Sequence, residues 1–326
     1  MTGVMAASMA PAPAQAQGKE AVAVILDWTP FQPHHYAFWL AKDKGWYDEA
    51  GINVTITNVM GSNTVIQALV GGQGDIGFAG TAVFAKAVSD LKVPLKTVAV
   101  FHQKDVLSLR YLQSSGVTKP KDLEGKTVGL VTGSMAQVLW RPFTSVNGID
   151  ASKVQLVGTD WATYNSALVS GSIQATNGSV GLAENLALAA EGKPVKEFVF
   201  ADYLPLMGHG LIVSDDKLAK REKAIGAFVK ATQKAWNYLE SSPDAALKEA
   251  AAIVRKNVEK APSEAVLIET GKMVIPALMR QPSTAGKPLG WSSAESWGKM
   301  TDVLTEAKFM SRSPAAAELV TNKFVE

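Results

Sequence analysis

The sequence predicts an α/β protein of two lobes joined by two chain crossings. At 326 residues the chain exceeds one ordinary core and fits two compact units of about 100–200 residues each. A strand, loop, helix order is written twice, first over residues 21–79 and again over 126–157. Two extended runs, Leu107 to Leu112 and Gly210 to Ser214, lie where a chain passing from one unit to the other and back would cross.

In the first unit, Ala21 to Leu26 is a short β-rich run ended by Asp27-Trp28-Thr29-Pro30, a buried strand entering a loop. Tyr36 to Lys44 has helical spacing with Gly45 as its stop. Asn53 to Asn58 alternates as a strand, Gly61 to Thr64 supplies capping residue types, and helix Val65 to Val70 precedes strand Ile76 to Ala79. The second unit repeats the plan: strand Lys126 to Val131, loop Thr132 to Ser134, helix Met135 to Ser145, strand Val154 to Val157. This is the grammar of parallel sheets with helices on their faces. Beyond Asp215 the pattern is helical over Ala219 to Leu239, Pro243 to Lys256, Pro262 to Leu278 and Ser293 to Thr305, interrupted by a Pro- and Gly-rich loop from Arg280 to Trp291. The lobes are therefore expected to be 20–108 with 214–326, and 109–213.

Composition narrows the function classes. Apolar residues at 47% and charged residues at 19% allow a sizeable core and exclude disorder. With 32 Lys and Arg against 30 Asp and Glu and no basic runs, nucleic acid is not an expected partner. The sequence has no cysteine, which removes disulfides, thiolate metal sites, thiol nucleophiles and lipid attachment through an N-terminal Cys. Residues 4–16 form a small-residue and Pro stretch closing on Ala14-Gln15-Ala16, which matches a signal-peptidase pattern. Residues 1–16 are read as the remnant of an export signal, with a plain Ala/Pro tail as the alternative, because a basic start and a long apolar run are missing. No stretch reaches membrane-span length, so no stable membrane anchor is expected.

Ligands in open α/β sheets sit beyond the carboxyl ends of strands, where loops and helix N-termini present free N–H groups. Three loops qualify: Asp27 to His35, Gly61 to Thr64 and Gly133 to Gln137. Ser62 and Ser134 are candidates to meet ligand oxygens through caps, and equally ordinary helix caps. Trp28, stiffened by Pro30 and Pro33, is positioned to stack a flat ring, or else to join the core. His34-His35 are set aside as a metal site because adjacent residues diverge on a helix or strand and no third ligand has suitable spacing. His35 is kept as a polar lining group. Asp160 to Asn165 repeats the polar-aromatic loop in the second unit, with Trp161 and Tyr164. Glu184, in a small and apolar helix, is a candidate acceptor for ring nitrogens or amines, and otherwise a solvated helical Glu. Tyr203 and His209 bracket the return crossing. Motifs for hydrolases, zinc proteases, P-loops and dinucleotide binding are missing, so neither an enzyme nor a cofactor is expected.

Leu26-Asp27-Trp28-Thr29-Pro30 with His34-His35, the run Lys44 to Gly51 (KGWYDEAG), the run Gln67 to Gly77 (QALVGGQGDIG) and the closing Thr321-Asn322-Lys323-Phe324 together resemble the thiamine-pyrimidine-precursor family. That family includes periplasmic receptors for formylaminopyrimidine-type compounds and fungal pyrimidine-phosphate synthases. Taurine, alkanesulfonate and nitrate receptors are similar in outline. The resemblance implies the type II periplasmic-binding-protein fold, a ligand clamped between lobes, and a monomer that delivers it to the membrane permease of an ABC importer. It also implies that Glu184 touches the ligand. Two departures stand out. The family's aromatics before that Glu are replaced by Ser179-Val180-Gly181-Leu182, and the Cys-rich motif of the synthase branch is absent. A nitrogen-containing heteroaromatic ligand is the resulting expectation, with a sulfonate or other small anion as the alternative and a pyrimidine-precursor synthase-like enzyme as the alternative of another class.

Overall fold

The computed structural model describes residues 18–326; the export-signal reading of residues 1–16 lies outside them. Ten strands form two five-stranded sheets: β1 Glu20–Asp27, β2 Ile52–Val59, β3 Ile76–Gly80, β4 Leu95–Ala99, β5 Leu107–Leu112, β6 Thr127–Val131, β7 Gln155–Thr159, β8 Ala175–Ser179, β9 Val195–Val199 and β10 His209–Ser214. The first sheet runs β2-β1-β3-β10-β4 and the second β7-β6-β8-β5-β9. The two orders are equivalent. In each, a first strand lies between its parallel successors, and the fourth position is filled by an antiparallel strand that has just crossed from the other lobe.

Both faces of the first sheet are covered, as a largely parallel sheet requires. Val22, Val24 and Leu26 of β1 pack with Phe38, Phe228 and Trp236 from helices Tyr36–Asp43 and Glu222–Ser241. Ile25 faces the other way, with Val65, Phe84 and Trp297 from helices Ser62–Val70, Thr81–Leu91 and Ala294–Glu306. In the second sheet Leu109, Val128 and Leu130 pack under Leu139 and Phe143 of helix Met135–Val146. No described helix is long and apolar enough to cross a membrane.

The two crossings differ from expectation. Leu107–Leu112 and His209–Ser214 do not span the lobes; each lies inside one sheet. The crossings are the short segments before them, residues 100–106 and 200–208. They are tied to each other by backbone bonds from His102 N to His209 O (3.1 Å), Gly208 N to His102 O (2.9 Å) and Asp105 N to Leu206 O (3.1 Å). Gly208 permits this approach, since a Cβ there would sit 2.8 Å from His102 Cβ and 2.9 Å from Lys104 O.

Residues 80–106, unassigned from the sequence pattern, hold helix Thr81–Leu91 and strand β4. That helix buries Ala82, Phe84, Ala85, Ala87 and Val88 together with Thr81 and Ser89, so its buried face includes small and polar residues that a reading for large apolar side chains passes over. The continuous helix expected over Ala219 to Leu239 is broken at Arg221 (φ −129°). Arg221 leaves helical geometry and its guanidinium meets Glu20 and Asp75.

Asp75 joins β1 to this C-terminal region. It accepts from Ala23 N at 2.9 Å and Lys217 Nζ at 2.9 Å and pairs with Arg221. Burial alone would raise its carboxyl, but the bonds from Arg221, the Ala23 amide and Lys217 outweigh burial and leave it below the ordinary value. A carboxyl lowered in the folded state contributes stability that is complete above about pH 4 and is lost as pH falls through the folded value. Asp75→Asn is expected to lower stability at neutral pH by about 2 kcal/mol and to flatten the acid limb of the stability curve. Urea melts from pH 2 to 7 check this.

Candidate functional site

Asp27 ends β1, at the point where strand order reverses between β2 and β3, the usual ligand position in open α/β sheets. Its side chain is fully buried. One oxygen, Oδ2, accepts from Ser62 Oγ at 2.7 Å and is 2.8 Å from His209 Nε2. The other, Oδ1, has no hydrogen-bond partner; it lies 3.8 Å from His34 Nε2 and 3.6 Å from His35 Nε2.

The sequence has four histidines, and all four gather here. The His34 ring lies 4.2 Å from His35, 5.2 Å from His209 and 5.7 Å from His102, centroid to centroid. Phe78 supports the group from below at 5.0 Å from His102 and 5.4 Å from His209. Burial pulls His34 down to about 3, helped by the neighbouring His35. Burial likewise lowers His35 and His102. For His209 burial acts the same way, but the Asp27 carboxylate overcomes it and the imidazole is raised. Burial would raise Asp27, yet the charge of His209 and its hydrogen bond to Oδ2 hold it well below the carboxylate range. The Asp27–His209 pair therefore favours its charged form, while burial disfavours charge on the three imidazoles around it.

The setting aside of His34-His35 needs correction. Pro33–His35 is a single 3-10 turn, and in this short turn both rings converge on Asp27. Asp27, His34 and His35 each offer a ligand atom, all within 4.8 Å of one another. Asp27 is the third donor group of the cluster, which sequence spacing did not reveal.

The loop above is held rigidly. His35 Nδ1 faces Thr29 O at 3.2 Å, Trp39 Nε1 donates to Pro30 O at 2.9 Å, and Asn58 Nδ2 donates to Trp28 O at 3.3 Å. Trp28 occupies the left-handed region (φ 57°), an uncommon conformation for a bulky residue. Its ring is 41% exposed and is not core. From the second lobe Trp161, 57% exposed, meets it edge to face with centroids 6.5 Å apart. Tyr164 lies 5.5 Å behind Trp161 and carries the Arg110 guanidinium 4.7 Å above its ring. The aromatic loops at residues 27–30 and 160–165 therefore face one gap.

Other candidates fall differently. Ser62 is the first residue of its helix rather than its cap; its hydroxyl donates to Asp27 and accepts from Gly80 N at 2.9 Å, so it orients the carboxylate. Ser134 caps its helix, accepting from Gln137 N at 3.3 Å and Asn177 Nδ2 at 2.9 Å. Glu184 is exposed in the first turn of helix Ala183–Ala190. Tyr203 is not brought to the cluster; it packs on Phe143 and Phe198 in the second lobe, at 5.3 and 6.4 Å. Sequence reasoning missed His102 and the buried Arg110. Two of the four histidines, His102 and His209, adjoin a strand end or crossing, and that was the available signal for the cluster. Arg110 donates to Asn177 O, Asn185 Oδ1 and Asn165 Oδ1 at 2.9–3.0 Å.

Twin sheets of equivalent order, two paired crossings and a gap rimmed from both sides define a periplasmic-binding-protein-like fold. Solved structures agree. The periplasmic aliphatic sulphonate binding protein SsuA from Escherichia coli superposes with TM-score 0.70 at 16% identity, over 92% of this chain and 91% of that one. The periplasmic nitrate-binding protein NrtA from Synechocystis PCC 6803 gives 0.65 at 11% identity, over 93% and 86%. The chain belongs to the NMT1/THI5-like family, whose model matches residues 32–246. A 4-amino-5-hydroxymethyl-2-methylpyrimidine phosphate synthase of Saccharomyces cerevisiae is 27% identical over 244 residues, 70% of this chain and 69% of its own length. The enzyme of that name from Aspergillus parasiticus is 25% identical over 67% of this chain and 66% of its own. The expectation that the chain is no enzyme is overturned by these relatives, which carry an enzyme's name.

Proposed function

We propose that the protein captures a flat, nitrogen-containing heteroaromatic solute between its lobes, with a thiamine-pyrimidine-like ring as the leading candidate. The observation that carries this is the approach of Trp28 and Trp161 to 6.5 Å across the gap. Two exposed rings set at 79° to each other from opposite lobes can offer a flat guest the face of one and the edge of the other once the lobes part to admit it. Glu184 is the exposed acceptor for ring nitrogens or an exocyclic amine; His209, Ser62 and Ser134, all partly exposed, are the polar groups nearest the gap, with Asp27 and His35 buried beneath them. Closure follows because only the closed form lets both lobes touch the guest. In this reading the lobes are 20–108 with 214–326, and 109–213, and a monomeric periplasmic receptor hands its solute to the permease of an ABC importer.

An anion receptor is disfavoured by Arg110. Its guanidinium is fully buried and all three of its hydrogen bonds go to protein carbonyls. The names of the fungal relatives favour a second reading, in which the captured or formed molecule is a pyrimidine phosphate and the gap is an active site.

Calorimetry against thiamine precursors, other pyrimidines, alkanesulfonates and nitrate tests the proposal, with product analysis by mass spectrometry separating the second reading. Binding confined to pyrimidine-type rings is expected; a response confined to sulfonates or nitrate overturns it. Trp28→Ala and Trp161→Ala are each expected to weaken binding by about 1–3 kcal/mol. Both rings are exposed, so stability should change by less than about 0.5 kcal/mol.

A further inference from the structure

We propose that Asp27, His34 and His35 form a site for one divalent first-row transition ion of the zinc type at the carboxyl end of β1. The three donor atoms are Asp27 Oδ1, His34 Nε2 and His35 Nε2. Both nitrogens, at 3.8 and 3.6 Å from Oδ1, are too far for a hydrogen bond. An ion with bonds of about 2.0–2.1 Å holds neighbouring donors about 3.3 Å apart in tetrahedral geometry, so the two carboxylate–imidazole pairs need a shift of a few tenths of an ångström, and the two imidazole nitrogens, within 4.8 Å of each other, must draw together by at most about 1.5 Å.

All three donor atoms are buried and unpartnered. A buried polar atom without a partner destabilises the fold by about 1–3 kcal/mol, and here three such atoms point at one place. One ion satisfies all of them.

The surroundings are those a metal ligand set needs. His35 turns Nδ1 to Thr29 O at 3.2 Å. With the proton on Nδ1, the Nε2 lone pair is directed at the site, and the ring is held at both ends. Asp27 is oriented through its other oxygen by Ser62 at 2.7 Å and His209 at 2.8 Å, which leaves Oδ1 free to ligate. Two imidazoles and one carboxylate select zinc-like transition ions over calcium or magnesium. Three protein ligands leave a further position open. His34, 12% exposed where the other two side chains are fully buried, marks the way in. The inference concerns the ion alone and does not depend on which solute the gap accepts.

Tag-free, chelator-treated protein is titrated with Zn²⁺ by calorimetry and with Co²⁺ by visible absorption. One ion per chain and a Co²⁺ d–d band of low-coordinate type are expected. His34→Gln and His35→Gln should each weaken Zn²⁺ binding tenfold or more, whereas His102→Gln should leave it within about threefold. His34→Gln alters the partly exposed member and is expected to fold, as far-UV circular dichroism checks. The proposal is overturned if folded wild type binds neither ion, or if the His34 and His35 variants bind as the wild type does. Solute binding by the same metal-free sample is measured separately, so that loss of one claim is visible apart from the other.

Discussion

Replacing Gly181 with valine is expected to hold the lobes apart and to weaken solute capture by about tenfold or more, the effect of about 1.4 kcal/mol. Gly181 stands just before helix Ala183–Ala190 of the second lobe, at φ +74°. A Cβ there would lie 2.2 Å from Val274 Cγ2 and 3.2 Å from Thr270 O, both on helix Glu264–Met279. That helix belongs with the first lobe: Tyr36 donates to Leu267 O at 2.9 Å, and Gln103 N donates to Leu278 O at 2.6 Å. Any side chain at this position meets backbone strain of about 1–3 kcal/mol and a collision that only separation of the lobes relieves. Small-angle scattering should show a larger radius of gyration for Gly181→Val, with a melting temperature lowered by the few degrees that the backbone strain implies. An unchanged radius and unchanged affinity would remove this contact from the closing interface.

Arg110→Met is expected to destabilise the second lobe by about 3–5 kcal/mol. Arg110 comes from β5 and is fully buried. It satisfies Asn177 O on β8, Asn165 Oδ1 and Asn185 Oδ1 on the two helices flanking the gap, and it covers the Tyr164 ring. Methionine fills much of the volume but leaves three buried acceptors without donors. Because those acceptors position the helices behind Trp161 and Glu184, affinity should fall together with stability. Denaturant melts check the first effect and calorimetry the second.

Strands such as β1 and β6 were legible because buried parallel strands are runs of Val, Ile and Leu bounded by turn residues, whereas β4, β8 and β9 were not assigned. Helix Thr81–Leu91 was not, since its buried face is made of Thr, Ser and Ala as well as Phe and Val. β8, Ala-Thr-Asn-Gly-Ser, was hidden for a related reason. Asn177 uses its side chain inside the sheet, donating to Ser134 and accepting from Val131 N at 2.8 Å, so an internal strand reads as a polar loop. Of the site, Asp27, Trp28, Trp161 and Tyr164 were visible as loops following strands. The meeting of all four histidines was not visible, because His34, His35, His102 and His209 come together only through the crossings. Alternation rules for helices and strands do not govern a single 3-10 turn, and that is why His34 and His35 were set aside wrongly as a converging pair.

The central claim is that a solute is clamped by both lobes. With no native cysteine, Asn63→Cys in the first lobe and Ser166→Cys in the second, both exposed, accept spin labels without further changes. Pulsed electron paramagnetic resonance should give a broad distance distribution in the free protein and a narrower, shorter one once a pyrimidine-type solute saturates it. The same distribution with and without saturating solute would contradict the account.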